Sequence, residues 1–156
     1  MKKIILFAMC AIFAMVSKAQ SNTDELKYLQ DVIGVKKKQY VEEHVKINPA
    51  DAAKFWKLYD EYELFRSEIG EKRVDNINEY ITNYGKLTNA KADELMKRSF
   101  SVGSEMAALW QKTYTKMSKE LSPVLASEFI LVEMYVEAKV RQAVTEQAPT
   151  FGGSKK

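Results

Sequence analysis

Beyond residue 20 the apolar positions of this chain recur every three or four residues, and no stretch alternates strictly between turn signals. The pattern predicts an all-α protein. Four helices are expected: Asp24 to His44, Pro49 to Asn83, Asn89 to Glu120 and Pro123 to Gln147. At 1.5 Å per residue the second would be ~50 Å long. Helices of that length joined by loops of a few residues predict long hairpins rather than a compact globule. The tail 148–156, with Pro149, Gly152 and Gly153, is expected to be flexible.

Local chemistry marks the helix starts. Asn48-Pro49-Ala50-Asp51 reads as Asn at the N-cap, Pro at the first helical position and Asp in the first turn. Ser122-Pro123 repeats the design, and Thr88, after the Gly85-Lys86 break, is a weaker third start. Ile47-Asn48-Pro49-Ala50-Asp51-Ala52 and Leu121-Ser122-Pro123-Val124-Leu125-Ala126 share an apolar residue, a cap, a Pro and an Ala. Each is followed by a Phe at the same offset, Phe55 and Phe129. Leu87-Thr88-Asn89-Ala90-Lys91-Ala92 matches without the Pro. An apolar residue packing onto the first turn accounts for each copy on its own.

The faces of the helices indicate what each must meet. On the second helix Ala52, Phe55, Tyr59, Tyr62, Ile69, Ile77, Tyr80 and Tyr84 fall in one stripe, expected to be core, with Arg66 and Arg73 in its middle. The two arginines either snorkel or pair with carboxylates of a neighbouring helix or subunit, or else form a cationic spot in an apolar groove. The third helix carries an ordinary core seam through Ala92, Leu95, Ser99, Val102, Met106, Leu109, Thr113 and Met117. Beside it runs a second, heptad-like seam of Met96, Phe100, Gly103, Ala107, Trp110 and Tyr114, which needs a second partner surface. The fourth helix, through Phe129-Ile130-Leu131-Val132 and Met134-Tyr135-Val136, is apolar around most of its circumference. One hairpin cannot cover so much apolar surface. The surplus predicts a homodimer, a surface for exposed apolar segments of other proteins, or both.

Composition changes this picture at the N-terminus. Lys2 and Lys3, the apolar run Ile4 to Val16 and the small-x-small Ser17-Lys18-Ala19 read as a secretory signal over residues 1–19, leaving a helical domain over 20–147. The run is too short to span a bilayer comfortably, and no second one follows, so no integral span is expected after cleavage. Cleavage takes Lys2, Lys3 and Lys18 from the 24 basic side chains and leaves the 21 acidic ones, so the chain's charge of +3 falls to zero. A neutral chain lacks the basic excess that nucleic-acid binding requires. Cleavage also removes Cys10, the one cysteine, so no disulfide framework is expected in the oxidising compartment. Lipidation at Cys10 would need a small residue before it, where Met9 stands.

Catalytic chemistry finds no footing. With one His and no Cys after cleavage, Cys-His catalysis, iron-sulfur clusters and Cys-type zinc sites have no ligands. No Gly-rich phosphate loop or nucleophile elbow occurs. No enzyme and no cofactor are expected. His44, near the end of the first helix, suits the negative end of the helix dipole, and with Glu43, Asp51 and the remaining Met residues it makes too thin a set for a selective metal site. Lys36-Lys37-Lys38 is the dense basic run and reads as a solvated helix face.

Taken together, the exported helical chain and its three start elements resemble the Spy/CpxP superfamily of periplasmic proteins with its LTxxQ motif. The likeness spans roughly Val35 to Gln147 and is nearest to the divergent branch whose second helix opens like Ile47 to Glu63 here; Leu121 to Phe129 is similar to the same branch. The fifth motif position is Asp51, Lys91 or Leu125, never Gln. The resemblance implies a dimeric cradle of helical hairpins without cofactor, acting in the periplasm as an ATP-independent chaperone or envelope-stress accessory. Client or partner contacts would then fall on Met96, Phe100, Trp110 and Tyr114, with Arg66 and Arg73 as the cationic element. The alternative is a regulatory or sensor protein, metal-linked in some relatives, that binds the periplasmic part of a signalling protein.

Overall fold

The computed structural model describes residues 37–147, with side chains to residue 142. The predicted signal segment 1–19, the predicted first helix before residue 37 and the tail 148–156 lie outside the described residues. Among the described residues the chain forms four helical segments and no strand: α1 over 37–44, α2 over Ala52–Asn83, α3 over Asn89–Glu120 and α4 over Pro123–Gln147. The all-α expectation holds, and the bounds of α3 and α4 are those the capping residues predict.

Two of the three predicted caps form. Thr88 Oγ1 accepts from the Lys91 N–H at 3.2 Å, and Ser122 Oγ accepts from the Leu125 N–H at 3.1 Å. The Asn48-Pro49 start is a correction. Here the Asn48 carbonyl, not its side chain, accepts from the Asp51 N–H at 2.9 Å, closing a turn over residues 49–51. Helix α2 begins at Ala52 behind Asp51, whose side chain makes no cap bond. Pro49 fixes one dihedral of a turn instead of the first residue of the helix.

Gly85, in the connection that follows α2, has φ at 83°, in the left-handed region that a side chain disfavours. From there α3 runs back along α2. Glu61 pairs with Lys116, Lys72 with Glu105 at 2.6 Å, and Glu79 with both Arg98 and Lys91. Partner numbers fall as α2 numbers rise, so these cross-helix pairs define an antiparallel register. A two-residue connection, Leu121-Ser122, then turns the chain into α4, which lies parallel to α2: Phe55 meets Phe129, and Arg73 meets Glu137.

The core sits where α1, α2, α3 and α4 converge. Phe55 and Phe129, the two phenylalanines at matching offsets in the start elements, contact edge to face at 5.6 Å and are fully buried. Phe129 also takes the edges of Tyr62 and Tyr59, at 5.3 and 5.9 Å. Val41 and Val45 bring α1 into the same cluster, and Val102, Met106, Leu109 and Met117 bring α3. Most of the two predicted core stripes is therefore buried. Tyr84 is 41% exposed, because it lies beyond α2 in the turn that the Lys86 N–H closes on the Asn83 carbonyl, where the helical period no longer applies. Ser99 is exposed as well.

Candidate functional site

The least expected feature is ionic. Lys37, read from the sequence as part of a solvated basic face, is buried. Its Nζ donates to Glu133 Oε2 at 2.8 Å and to Glu63, and lies 5.2 Å from the Tyr62 ring centroid. The physical reason for this correction is periodicity: Lys37, Val41 and Val45 are spaced by four, so the lysine shares the inward face of α1 with two core valines. Lys38 remains exposed and stacks its ammonium over Trp56 at 4.8 Å.

Glu133 is the hub. Oε2 also accepts from Tyr62 Oη at 2.7 Å, and Tyr62 Oη in turn accepts from Trp110 Nε1 at 3.2 Å. The four residues join α1, α2, α3 and α4 in one relay. Burial raises the Glu133 carboxyl above the ordinary carboxylate range, with Lys37 opposing it, and Glu133 Oε1 is buried without a partner. Burial, reinforced by the Glu133 charge, also drives the Tyr62 hydroxyl well above the tyrosine range, so it acts as a donor.

The two arginines of the α2 stripe are paired within the chain. Arg66 donates to Glu63 at 3.1 Å, and Arg73 donates to Glu137, which Arg141 also approaches at 3.8 Å. Arg73 thus pairs with a carboxylate of a neighbouring helix, whereas the partner of Arg66 stands three residues away on α2 itself.

The second seam of α3 divides. Trp110 is half-buried against the core and tied to Tyr62, whereas Met96, Phe100 and Tyr114 are 51%, 66% and 39% exposed. Between them Phe100, Gly103 and Ala107 line a cleft of about 680 Å³, closed by Arg73 and Asn76 of α2 and by Val140 and Arg141 of α4. The cleft thus brings Phe100 and Arg73 together and leaves Arg66, Met96, Trp110 and Tyr114 outside it. On α4, Val124, Leu131, Met134 and Tyr135 face outward.

No family model, curated protein or solved structure matches this chain.

Sequence reasoning missed Lys37, Glu133, Glu137 and Asn76. A signal existed for two of them. Glu133 and Glu137 are four residues apart and share the inward face of α4 with Phe129, a pattern that predicts buried carboxylates in need of cations. His44, the last residue of α1, donates through Nδ1 to the Tyr40 carbonyl at 2.9 Å and stacks on the Tyr40 ring at 3.8 Å. Among the described residues no group of three or more His, Cys, Asp or Glu is placed to hold a metal ion, and no helix is long and apolar enough to cross a membrane.

Proposed function

We propose that the chain is an exported, periplasmic, ATP-independent chaperone or envelope-stress accessory of the Spy/CpxP kind, working as a homodimer. One observation supports this reading above others. Large apolar side chains, Phe100, Leu131, Met96, Met134 and Tyr135, stand on the outer faces of helices whose inner faces are fixed by an aromatic core. A rigid helical frame with exposed apolar side chains among neutralised ion pairs is suited to weak, reversible contact with unfolded chains, and such contact needs no catalytic group.

The test uses the chain without residues 1–19. Suppression of aggregation of several unrelated unfolded proteins at modest molar excess is the expected result, and failure at several-fold excess would sink the chaperone reading. In sedimentation the expected species is a dimer, and Phe100→Asp with Leu131→Asp should shift it toward monomer while weakening client protection.

A further inference from the structure

The outer face of α4 differs from those of α2 and α3. Those two helices are laced together along their exposed sides by ion pairs such as Glu61 with Lys116 and Lys72 with Glu105. On α4 the positions Val124, Ser127, Leu131, Met134, Tyr135 and Ala138 follow a heptad-like spacing, form one stripe, and carry no charge. Val124 and Leu131 are 69% and 65% exposed, and Met134 and Tyr135 are about half exposed. Depletion of charge from an exposed face marks the core of a contact between proteins. Charge appears at its flank: Glu128 and Lys139 lie on the same side of the stripe, three helical turns apart. Glu128 Oε2 accepts from the Lys46 N–H at 3.1 Å, and Lys139 lays its ammonium over the Tyr135 ring at 5.6 Å, so neither contact supplies a counter-charge.

We propose that this face of α4 binds the same face of a second copy, antiparallel, an assignment that rests on the homodimer reading above and names its interface. A two-fold axis across the helices sets each flank against its own counterpart. With the axis crossing α4 near Glu133, Leu131 faces the partner's Tyr135, Glu128 stands level with the partner's Lys139, and each contact occurs twice. One register therefore satisfies the apolar stripe and its charged flank together. A parallel pair would join opposite flanks and bring Lys139 beside the partner's Arg141, a second cation. An unfolded chain of arbitrary sequence does not supply an acid and a base at this spacing, whereas a second copy does. Two such faces, each about 30 Å long and one helix diameter wide, bury on the order of 1,000 Å² together, the lower bound for a stable pair of copies. Met96 and Phe100 of α3 then remain for clients.

The experiment is sedimentation equilibrium of the chain without residues 1–19 over a range of concentrations. Leu131→Asp, at an exposed position, should raise the dimer dissociation constant at least about a hundredfold. Glu128→Lys and Lys139→Glu should each weaken the dimer about tenfold, because two like-charge contacts replace two ion pairs. The double variant Glu128→Lys/Lys139→Glu restores opposite charges across the interface and should return to within about twofold of the parent. Phe100→Asp alone should leave the mass unchanged. Circular dichroism reports whether each variant is native, and the charge reversals carry the test if Leu131→Asp does not fold. A dimer that a folded Leu131→Asp leaves intact, or a double reversal no tighter than the single ones, would overturn the α4 interface and leave the homodimer reading standing. A parent chain that stays monomeric at 0.1 mM, roughly, overturns both. Aggregation assays separate the remaining case: an α4-dependent dimer that protects no client keeps this interface and sinks the chaperone reading.

Discussion

Lys37 Nζ donates to Glu133 Oε2 at 2.8 Å across 96 residues of sequence, with both side chains almost wholly removed from solvent. A pair in this position costs the desolvation of two charges and recovers it only because each has further partners: Glu63 and the Tyr59 and Tyr62 rings for the lysine, Tyr62 Oη for the carboxylate. Its removal should be asymmetric. Lys37→Met strands a buried carboxylate and should cost about 3–5 kcal/mol at neutral pH, while Lys37→Met combined with Glu133→Leu should recover most of that loss. Urea denaturation of the parent, single and double variants measures the difference.

The same single variant should acquire a distinctive pH dependence. Burial already holds Glu133 above its ordinary value of 4.5, and Lys37 is what opposes the rise. Without the lysine the folded chain keeps a proton on Glu133 that the unfolded chain releases near 4.5. Stability is then greatest below that value and declines as pH rises through the folded carboxyl's own titration. Lys37→Met should therefore lose less stability relative to the parent at about pH 5 than at about pH 8. A penalty that grew on acidification would refute this account of the relay.

The α2–α3 ladder behaves in the opposite sense. Hydrogen bonds from Lys116, Lys91 and Lys72 hold Glu61, Glu79 and Glu105 below the usual carboxylate range. Groups depressed in the folded state contribute stability above their unfolded value of 4.5 and lose it as pH falls through the folded one. The urea midpoint of the parent should fall with acidification below about pH 4.5, and added salt should flatten that fall because these pairs lie in solvent.

Two glycines should respond to alanine with opposite signs. Gly85 has φ at 83°, so Gly85→Ala strains the backbone and should cost about 1 kcal/mol. Gly103 sits inside α3 with open space around it, so Gly103→Ala should stabilise by about 0.5–1 kcal/mol through helix propensity. Thermal denaturation of both variants decides the point.

Burial separates two phenylalanines in the same way. Phe129→Ala removes the ring that Phe55, Tyr59 and Tyr62 all touch and should cost about 3–5 kcal/mol. Phe100, 66% exposed, should change stability by less than about 0.5 kcal/mol on the same replacement. Capping gives a further contrast: Ser122→Ala should cost about 1 kcal/mol, and Asn48→Ala, with no side-chain cap bond to lose, should be nearly silent.

The sequence by itself determined the helical class, the bounds of α3 and α4, the Thr88 and Ser122 caps and most of the buried stripes of α2 and α3. These depend on near-neighbour chemistry, in which a residue three or four positions away is a neighbour in space. Even the pairing of Phe55 with Phe129 had a trace in the matching start elements. Tertiary structure alone decided that Lys37 is a core residue, that Arg73 is answered by Glu137 of α4, and that Trp110 turns inward while Phe100 and Gly103 open on a cleft. Each of these depends on which helix stands opposite, and a charged or aromatic side chain carries no local mark of its distant partner. Helical period places a residue on a face, but the neighbour across that face decides whether its charge is solvated, neutralised or left available.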